Sequence, residues 1–533
     1  MAQWRGGPRR PKKRPGPVPV RAALLVGLAL VLTVSGCAMT TGRRSAPSPS
    51  TVASTSTAPT TTTTAPTGAV PPIVWSACGD DLQCGSVTVP VDYSHPSGPT
   101  LKIAVERRPA AVPSQRIGSL VINPGGPGTS GIDDLPNELS VLTPELLDRF
   151  DIVSFDPRGV QRSDPVECGP SAAPSTSTTP TTTVPPAPVA LPDPVPVTVA
   201  AQRSVLAQDK AYAEACEKYS GSILPFVGTV NAARDLDRIR AALGDEKLTF
   251  IGHSYGTLLG ALYAQMYPNN VRAMVLDGAI DPARSTDQMV LDQAKGFETV
   301  LDDFFTWCAS NASCPWRPTG DPTTALVLLI DASRVKRLPG ADGGSAGPGE
   351  FYNALLDDLY SRSSWPSLGD ALNLAEQGNG TDLITLSTSY ASGGSTNGAD
   401  ANNAVNCLDH PVSRRPSTYP GLAATAAAEA PVFGPVLAWG LLQCAVWPVR
   451  PTRIPAPVSD AGAPPILVTG TTGDPATPYP WAVSLAGELE HGELVTWQGV
   501  NHVAYFYSPC VRAIDQAYLV DGTLPPIGTV CTD

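Results

Sequence analysis

Residues 247–268 of this 533-residue chain are Lys-Leu-Thr-Phe-Ile-Gly-His-Ser-Tyr-Gly-Thr-Leu-Leu-Gly-Ala-Leu-Tyr-Ala-Gln-Met-Tyr-Pro, and they decide the fold. The first five residues are apolar and β-prone, whereas residues 257–267 are good helix formers that end at Pro268. Between them lies a pentapeptide with glycine at both ends and Ser254 at its centre. This order predicts a strand, a very tight turn and a helix, with Ser254 held in a strained backbone conformation.

A strand, a Gly-x-Ser-x-Gly turn and a helix form the nucleophile elbow of the α/β-hydrolase fold. Glycine is required at Gly252 and Gly256 because a side chain at either position would collide with the neighbouring strand or helix. Ser254 would present its hydroxyl at the positive end of the helix. A glycine-rich turn without function is the alternative, but the flanking strand and helix favour a nucleophile. We therefore predict an α/β-hydrolase fold with a mostly parallel central sheet flanked by helices.

A serine at neutral pH needs a base, and the base needs a group that orients it. In this fold the acid and then the histidine follow the serine along the chain, which disfavours His95 and His253. His410 lies in a segment rich in cysteine and proline, and His491 fits a residue at a helix C-terminus better than a base. His502 follows a strand-like segment and a Gly-Val-Asn turn, so it is the predicted base.

The acid should lie in the loop after the preceding core strand. Residues 465–469, Pro-Ile-Leu-Val-Thr, predict that strand, and the loop at 470–478 contains a single carboxylate, Asp474. A surface turn residue is the alternative interpretation of Asp474. Because no other carboxylate lies between this strand and the next helix, Ser254, Asp474 and His502 are the predicted catalytic triad.

The transition state of acyl transfer needs two backbone N–H donors for its oxyanion. The N–H of Tyr255, directly after the nucleophile, is the first candidate. Residues 117–123 predict a strand that continues into a Pro-Gly-Gly-Pro-Gly loop at 124–128. Because proline has no N–H group, Pro127 cannot donate, and Gly126 is the predicted second donor.

Five motifs form a specific combination: Val-Ile-Asn-Pro-Gly-Gly-Pro-Gly at 121–128, Phe-Asp-Pro-Arg-Gly-Val at 155–160 with Ser163, the elbow at 252–256, Asp-Pro-Ala-Thr-Pro at 474–478, and the tail at 502–510. With them the chain resembles the tripeptidyl-aminopeptidase-like serine peptidases, relatives of prolyl aminopeptidase, over residues 75–531. It looks most similar to a lipid-anchored cell-envelope protease of mycobacteria within that group. The resemblance implies an α/β hydrolase that cleaves peptides through an acyl-enzyme, often at free N-termini, at the cell surface.

The chain departs from this family next to the predicted base and in one loop. Asn501 precedes the base where many members have glycine, and Gln161 and Arg162 replace residues that are usually smaller. These departures concern the shape of the pocket and leave the triad complete. Asp409 matches an acid-after-cysteine pattern of the family, which implies a carboxylate that pairs with the substrate's ammonium group. The alternative for Asp409 is a solvated or helix-capping residue.

The N-terminus has the features of an exported lipoprotein. Seven basic residues and no acidic residue precede or begin an apolar run at 22–34, which is too short to span a bilayer comfortably. The Val-Ser-Gly-Cys sequence at 34–37 resembles a lipobox, in which Cys37 would carry the lipid. An ordinary signal peptide is the alternative, and the general secretory route is favoured over the twin-arginine route. We predict a signal peptide at 1–36 and a lipid-anchored protein outside the cytoplasm.

Ten of the eleven cysteines remain after Cys37, and no CxxC or Cys/His spacing of a metal site occurs among them. In an exported protein, an even number of cysteines favours disulfides. Spacing does not establish the connectivity, and sequential pairing is the simplest hypothesis: Cys78 with Cys84, Cys168 with Cys216, Cys308 with Cys314, Cys407 with Cys444, and Cys510 with Cys531. We predict neither a metal nor an organic cofactor.

Composition and charge define the expected organisation and partners. Without the signal peptide, 29 basic residues stand against 48 acidic ones, a net charge of −19, which argues against a nucleic-acid partner. Residues 37–72 predict a disordered stalk rich in serine, threonine and proline, and 171–198 predict a low-complexity loop. The hydrolase core is expected at 73–281 and 456–533. A helical lid at 282–455 would interrupt it and select the substrate.

Three functions are compatible with this pattern. The first is an exported serine peptidase, an aminopeptidase that releases short peptides from free N-termini and meets the membrane only through its lipid. The second is an extracytoplasmic carboxylesterase or lipase with the same triad, which a lid rich in exposed apolar residues would favour. The third, a non-catalytic lipoprotein, predicts a missing triad member, and none is missing.

Overall fold

The computed structural model describes residues 70–79, 81–170, 189–341, 343–391 and 397–533. The predicted signal peptide, Cys37 and nearly all of the predicted stalk lie outside these ranges, as do residues 171–188 of the predicted low-complexity loop. None of the described helices combines the length and apolar character that a membrane crossing requires.

Twelve strands occur in the described residues: β1 (Ser76–Gly79), β2 (Leu82–Pro90), β3 (Thr100–Arg108), β4 (Gly118–Asn123), β5 (Phe150–Phe155), β6 (Leu248–His253), β7 (Val271–Asp277), β8 (Leu338–Pro339), β9 (Ser345–Ala346), β10 (Ile466–Thr471), β11 (Gly492–Trp497) and β12 (Val530–Cys531). Ten of them form one sheet in the order β1-β2-β3-β5-β4-β6-β7-β10-β11-β12, and β8 pairs with β9. From β5 to β12 all neighbours are parallel, whereas β1, β2 and β3 join antiparallel at one edge.

Sixteen α-helices accompany the strands in the same ranges: α1 (Gly131–Val141), α2 (Pro144–Arg149), α3 (Val199–Ser220), α4 (Thr229–Leu243), α5 (Tyr255–Met266), α6 (Thr286–Ser310), α7 (Pro322–Val335), α8 (Pro348–Asp358), α9 (Trp365–Glu376), α10 (Thr381–Ala391), α11 (Gly398–Asp409), α12 (Tyr419–Glu429), α13 (Phe433–Gly440), α14 (Leu442–Ala445), α15 (Tyr479–Glu488) and α16 (Pro509–Asp521). Helices flanking a mostly parallel sheet are the predicted fold class, which is confirmed.

The core lies on both faces of the sheet. Strands β5, β6 and β10 are buried along their whole length, as expected where helices cover a parallel sheet on both sides. Successive residues point to opposite faces, so Phe250 packs with Leu258 of α5 in one cluster. The next residue, Ile251, packs with Leu519 of α16 in the other cluster. This two-sided packing holds β6 rigidly, and the elbow follows its last residue.

Between β7 and β10 the chain leaves the sheet. Helices α6 to α14 and the β8–β9 hairpin occupy residues 286–445, which we call the helical insertion. The helical insertion has a hydrophobic core of its own, rich in aromatic side chains such as Phe304, Trp316, Phe351 and Trp365. It occupies the stretch that the sequence predicts as a lid.

Five disulfides join the ten described cysteines, and they follow the sequential pairing: Cys78–Cys84, Cys168–Cys216, Cys308–Cys314, Cys407–Cys444 and Cys510–Cys531. Three of them link separate elements, and the first, Cys78–Cys84, connects β1 to β2. Cys407–Cys444 connects α11 to α14 inside the helical insertion, and Cys510–Cys531 connects α16 to β12. Cross-links of this kind belong to proteins that fold in an oxidising compartment.

Candidate active site

Ser254 lies between β6 and α5, at the carboxyl end of the parallel strands. Its φ of 54° is in a region that residues with a side chain rarely adopt. A Cβ atom at Gly252 would lie 2.3 Å from the carbonyl oxygen of Gly256, and one at Gly256 would lie 2.7 Å from that of Asn123. The turn therefore requires both glycines of the motif, and its strained serine has the geometry of a nucleophile elbow.

His502 and Asp474 form a direct pair. The Nδ1 atom of His502 lies 2.9 Å from each carboxylate oxygen of Asp474. Asp474 is 3% exposed and also accepts the backbone N–H groups of Ala476 and Thr477, at 2.9 and 2.8 Å. These donors hold the carboxylate in one orientation. Because Nδ1 faces the carboxylate, Nε2 is the nitrogen available to accept a proton.

Asp277, the last residue of β7, lies between the elbow and the loop of His502. Its carbonyl oxygen accepts the backbone N–H of Ser254 at 2.9 Å. Its carboxylate accepts the N–H groups of the second and third residues after His502, at 3.1 and 2.7 Å. A Cβ atom at the following residue, Gly278, would lie 3.4 Å from Cε1 of His502. One buried residue thus connects the turn of the nucleophile to the loop of the histidine.

Sequence reasoning did not single out Asp277. A usable signal was present, because Asp277 is the one carboxylate of an otherwise apolar core strand with a single arginine, Val-Arg-Ala-Met-Val-Leu-Asp. A buried carboxylate is costly unless it accepts hydrogen bonds, so this position had to face donors in the fold. Which donors those would be depended on the arrival of a loop more than 200 residues later.

His253, inside the elbow, lies against α1 behind the nucleophile. It is 1% exposed, and its Nε2 lies 3.5 Å from a carboxylate oxygen of Glu138. Burial by itself lowers the pKa of His253, but the carboxylate of Glu138, followed by those of Asp277 and Asp515, raises it above its ordinary value. The imidazole of His253 therefore faces the carboxylate of Glu138 in α1.

The three other histidines have different surroundings, and His491 lies far from the nucleophile. The carbonyl of His491 accepts the N–H of Ile466 at the start of β10, so His491 lies at the amino ends of the parallel strands. A six-residue strand spans about 20 Å, which separates His491 from the elbow at the opposite edge. His410 is buried after α11, and burial lowers its pKa to about 3. His95 is exposed and lies 2.7 Å from Asp92.

The glycine-rich loop after β4 packs directly on the elbow. A Cβ atom at Gly125 would lie 2.9 Å from Cβ of Ser254 and 3.4 Å from the nitrogen of Tyr255. The N–H of Gly125 donates to the side chain of Asn123 at 3.2 Å. Within the described ranges, no acceptor faces the N–H of Gly126 or of Tyr255. These two groups are therefore free to serve as donors to an oxyanion.

The helical insertion contacts all three loops around the serine. In α11, the side chain of Asn402 donates to the carbonyl of Pro127 in the glycine-rich loop at 2.8 Å. In α6, the side chain of Gln293 donates to the carbonyl of Ala476, in the loop of the acid, at 2.8 Å. The turn after α8 bonds to the loop of His502. The geometry of the site therefore depends on the insertion as well as on the sheet.

The structure does not support the ammonium contact predicted for Asp409. Asp409 is 1% exposed, and its carboxylate accepts both the hydroxyl and the N–H of Thr229, the first residue of α4. The Thr229 hydroxyl also lies 2.6 Å from the hydroxyl of Tyr255. Burial raises the pKa of Asp409 to about 6. At the end of α11 its side chain enters the interior, where it stabilises the unpaired N–H groups that begin a helix.

Comparison with known protein families gives two matches. A family model described as "alpha/beta hydrolase fold" matches residues 118–321, and one described as "TAP-like protein" matches residues 430–531.

Three relatives match most of the chain. It is 36% identical to "Serine protease Hip1" of Mycobacterium tuberculosis, over 86% of this chain and 91% of that protein. It is 35% identical to "Carboxylesterase B" of the same species, over 86% and 89%. It is 32% identical to "Tripeptidyl aminopeptidase" of Streptomyces lividans, over 86% of each. Among solved structures, proline iminopeptidase of Mycobacterium smegmatis matches with a TM-score of 0.36 and 14% identity, over 81% of this chain and 97% of that chain.

Proposed function

Because this chain belongs to the tripeptidyl-aminopeptidase-like serine peptidases of the α/β-hydrolase superfamily, we propose that it cleaves peptide bonds through an acyl-enzyme on Ser254. In this proposal His502 is the base and Asp474 orients it. The observation that carries the proposal is the pairing of a buried carboxylate with Nδ1 of His502 at the same carboxyl edge of the sheet where the strained serine follows β6.

The reaction proceeds in two halves. In the first, Oγ of Ser254 attacks the carbonyl carbon of the scissile bond while its proton moves to Nε2 of His502. The oxyanion accepts hydrogen bonds from the N–H groups of Tyr255 and Gly126. The imidazolium then gives its proton to the leaving amine. In the second half, water loses a proton to the same nitrogen, attacks the ester, and releases the acid product and the serine.

We propose further that the enzyme is an aminopeptidase that releases short peptides from free N-termini. The similarity to a tripeptidyl aminopeptidase supports this substrate class. The helical insertion, which bonds to the glycine-rich loop and to the loops of Asp474 and His502, is the part of the fold that would restrict access to a chain end. Because the carboxylate of Asp409 accepts hydrogen bonds from Thr229, this proposal does not assign Asp409 as the acceptor of the substrate's ammonium group.

Ester hydrolysis is the second candidate activity. The observation in its favour is the similarity to a carboxylesterase, which is nearly as high as the similarity to the serine protease. The same triad hydrolyses esters and amides, so the fold alone does not separate the two. A peptidase and an esterase with this triad would differ in the length and charge of the acyl group that they prefer.

We expect the purified enzyme to cleave a tripeptidyl p-nitroanilide with a free amine roughly tenfold or more faster, in kcat/KM, than its N-acetylated counterpart. A site that pairs with an ammonium group leaves its acceptor unpaired when the amine is acetylated, and an unpaired buried charge is costly. Initial rates with both substrates and with p-nitrophenyl acetate measure the preference, with Ser254→Ala as the blank.

Equal rates on the free and acetylated peptides would contradict the aminopeptidase assignment and indicate an endopeptidase with an open cleft. Cleavage of the ester without cleavage of either peptide would instead favour the carboxylesterase. Both outcomes would leave the triad intact, because all three substrates depend on it.

We also propose that the enzyme is exported and held at the outer face of the membrane by a lipid on Cys37. The basic and apolar segments that precede Cys37, the lipobox-like sequence at 34–37 and the five disulfides support this location.

Replacing Cys37 with serine should move the protein from the membrane fraction to the soluble extracytoplasmic fraction, since the acylated residue is lost. Fractionation of the producing cells followed by immunoblotting measures the distribution. Ser254→Ala, which leaves the N-terminus unchanged, should remain with the membrane. If Cys37→Ser also stayed in the membrane fraction, the lipid anchor would be wrong.

A further inference from the structure

Two different parts of the molecule hold the loop of His502. The three residues after His502 in the chain donate their N–H groups to the carboxylates of Asp277 and Asp474. His502 itself and the residue before it, Asn501, bond instead to residues of the helical insertion. They lie in the turn between α8 and α9, residues 360–362, which we call the insertion turn.

Two hydrogen bonds join the insertion turn to the residue of the base and the residue before it. The backbone N–H of His502 donates to the carbonyl of Tyr360 at 2.8 Å. The backbone N–H of Arg362 donates to the side-chain oxygen Oδ1 of Asn501 at 2.7 Å. Between these bonds, Ser361 and Asn501 form an isolated antiparallel β-bridge. The two segments are therefore paired as a short piece of sheet.

The insertion turn also confines the imidazole itself. The ring of Tyr360 meets the ring of His502 edge-on, with centroids 5.0 Å apart and planes at 88°. A perpendicular arrangement of this kind is a favourable aromatic contact and restricts rotation of the smaller ring. Together with the Asp474 contact at Nδ1, it leaves the histidine few orientations.

The insertion turn is anchored in the helical insertion and not in the sheet. Tyr360 packs on Phe297 of α6, with ring centroids 5.7 Å apart. The guanidinium of Arg362 lies 5.5 Å above the ring of Trp365, which is 2% exposed in the core of the insertion. A displacement of the insertion would therefore carry the turn with it.

Asn501 is the side chain that makes this connection specific. It is 9% exposed, and its amide oxygen is the acceptor for a backbone N–H that has no other acceptor within the described ranges. The bond is partly buried, so loss of this oxygen would weaken the docking of the insertion turn. Because Asn501 directly precedes His502, loss of this bond would alter the position of the imidazole.

We propose that Asn501 is a positioning residue that couples docking of the helical insertion to alignment of His502. When the insertion turn is docked, Asn501 and Tyr360 hold the base toward the nucleophile. The proposal rests on the role of His502 in the proposed function.

The test compares Asn501→Ala with Asn501→Asp, and uses Gln498→Ala as a matched control, since Gln498 is an exposed amide on the same loop. Loss of one hydrogen bond should lower kcat of Asn501→Ala by roughly fivefold to tenfold on both a peptide and a small ester, with KM within about twofold. Asn501→Asp keeps an oxygen that accepts the N–H of Arg362, so its kcat should lie within about twofold of the wild-type value. Rates are normalised to active sites titrated with a fluorophosphonate.

Residue-resolved hydrogen–deuterium exchange gives a readout that overall stability does not move. In the wild type the amides of Arg362 and His502 should be protected together, and in Asn501→Ala both should exchange roughly fivefold to tenfold faster at an unchanged melting temperature. If Asn501→Ala did not fold, the exchange rates of the Arg362 and His502 amides in the wild type would still test the proposal. Rapid exchange of Arg362 in the wild type would overturn the proposal.

Three results separate this proposal from the proposed function. Asn501→Ala with the kcat of Gln498→Ala would overturn the positioning role, and so would an Asn501→Asp variant as slow as Asn501→Ala. Either result would leave the triad untouched if His502→Ala were inactive. An active His502→Ala variant would instead remove the base on which the proposal rests.

Discussion

Ser254→Ala should lower kcat by about 10⁶-fold on both a peptide and an ester, because a triad without its nucleophile retains only the oxyanion donors and substrate binding. The substitution removes one oxygen atom and keeps the Cβ atom, so the packing of the elbow should not change. Turnover of a tripeptidyl p-nitroanilide and of p-nitrophenyl acetate measures the loss, and a thermal melt monitored by circular dichroism checks the fold.

Ser140→Ala is the matched control, since Ser140 is an exposed serine of α1 whose hydroxyl bonds only to a nearby backbone carbonyl. It should keep wild-type turnover and melting temperature. Activity of Ser254→Ala within tenfold of the control would mean that Ser254 is not the nucleophile.

The second large effect concerns the acid–base pair. Asp474→Asn should lower kcat by about 10⁴-fold, because an amide can donate to Nδ1 of His502 and thereby favour the wrong tautomer. His502→Ala should lose at least as much, since no other base replaces the imidazole. Steady-state kinetics of each variant on the same two substrates measure these losses.

Non-additivity provides a further check on this pair. A residue of a triad acts with the others as a unit, so His502→Ala combined with Ser254→Ala should be no slower than Ser254→Ala alone. His491→Ala is the matched control and should retain wild-type kinetics, because His491 lies at the opposite edge of the sheet. A large loss in His491→Ala together with an active His502→Ala would exchange the roles of the two histidines.

Local signals predicted the core elements well. The amphipathic pattern at 229–243 predicts a helix with Gly244 as its stop. The structure has α4 at Thr229–Leu243, with Gly244 at a φ of 81°. The end of this helix is determined by the local sequence, because glycine adopts the left-handed conformation without strain. Residues 481–490 predict a helix before His491, whereas α15 ends at Glu488, two residues earlier. Boundaries of this kind depend on the last turn and are the least determined by sequence.

The start of the same helix shows why other features could not be predicted. From its sequence this helix is predicted to have Thr229 or Asn231 as its N-cap. In the structure Gly228 is the N-cap and makes no side-chain bond. The carboxylate of Asp409, 180 residues away, accepts the N–H of Thr229 instead. A pattern along the chain cannot report a partner that arrives through tertiary packing.

The same distinction applies to the candidate site. The elbow, the acid and the base each follow a core strand, so one chemically suitable residue per loop was sufficient to predict them. The roles of Asp277 and of the insertion turn depend on how the helical insertion and the C-terminal loop meet the sheet. Neither arrangement produces a pattern in the amino-acid sequence, so both could be recognised only from the structure.

The role of Ser254 is best tested by mapping the site of a covalent fluorophosphonate adduct, because the reagent phosphonylates an activated serine with loss of fluoride and the tetrahedral adduct resembles the tetrahedral intermediate of acyl transfer. The account predicts one adduct per molecule, located on Ser254 by tandem mass spectrometry, with peptidase and esterase activity lost in proportion to labelling. His502→Ala should label at least about 10³-fold more slowly, because the serine then lacks its base. Complete inactivation with an unmodified Ser254, or with the adduct on another serine, would contradict the account.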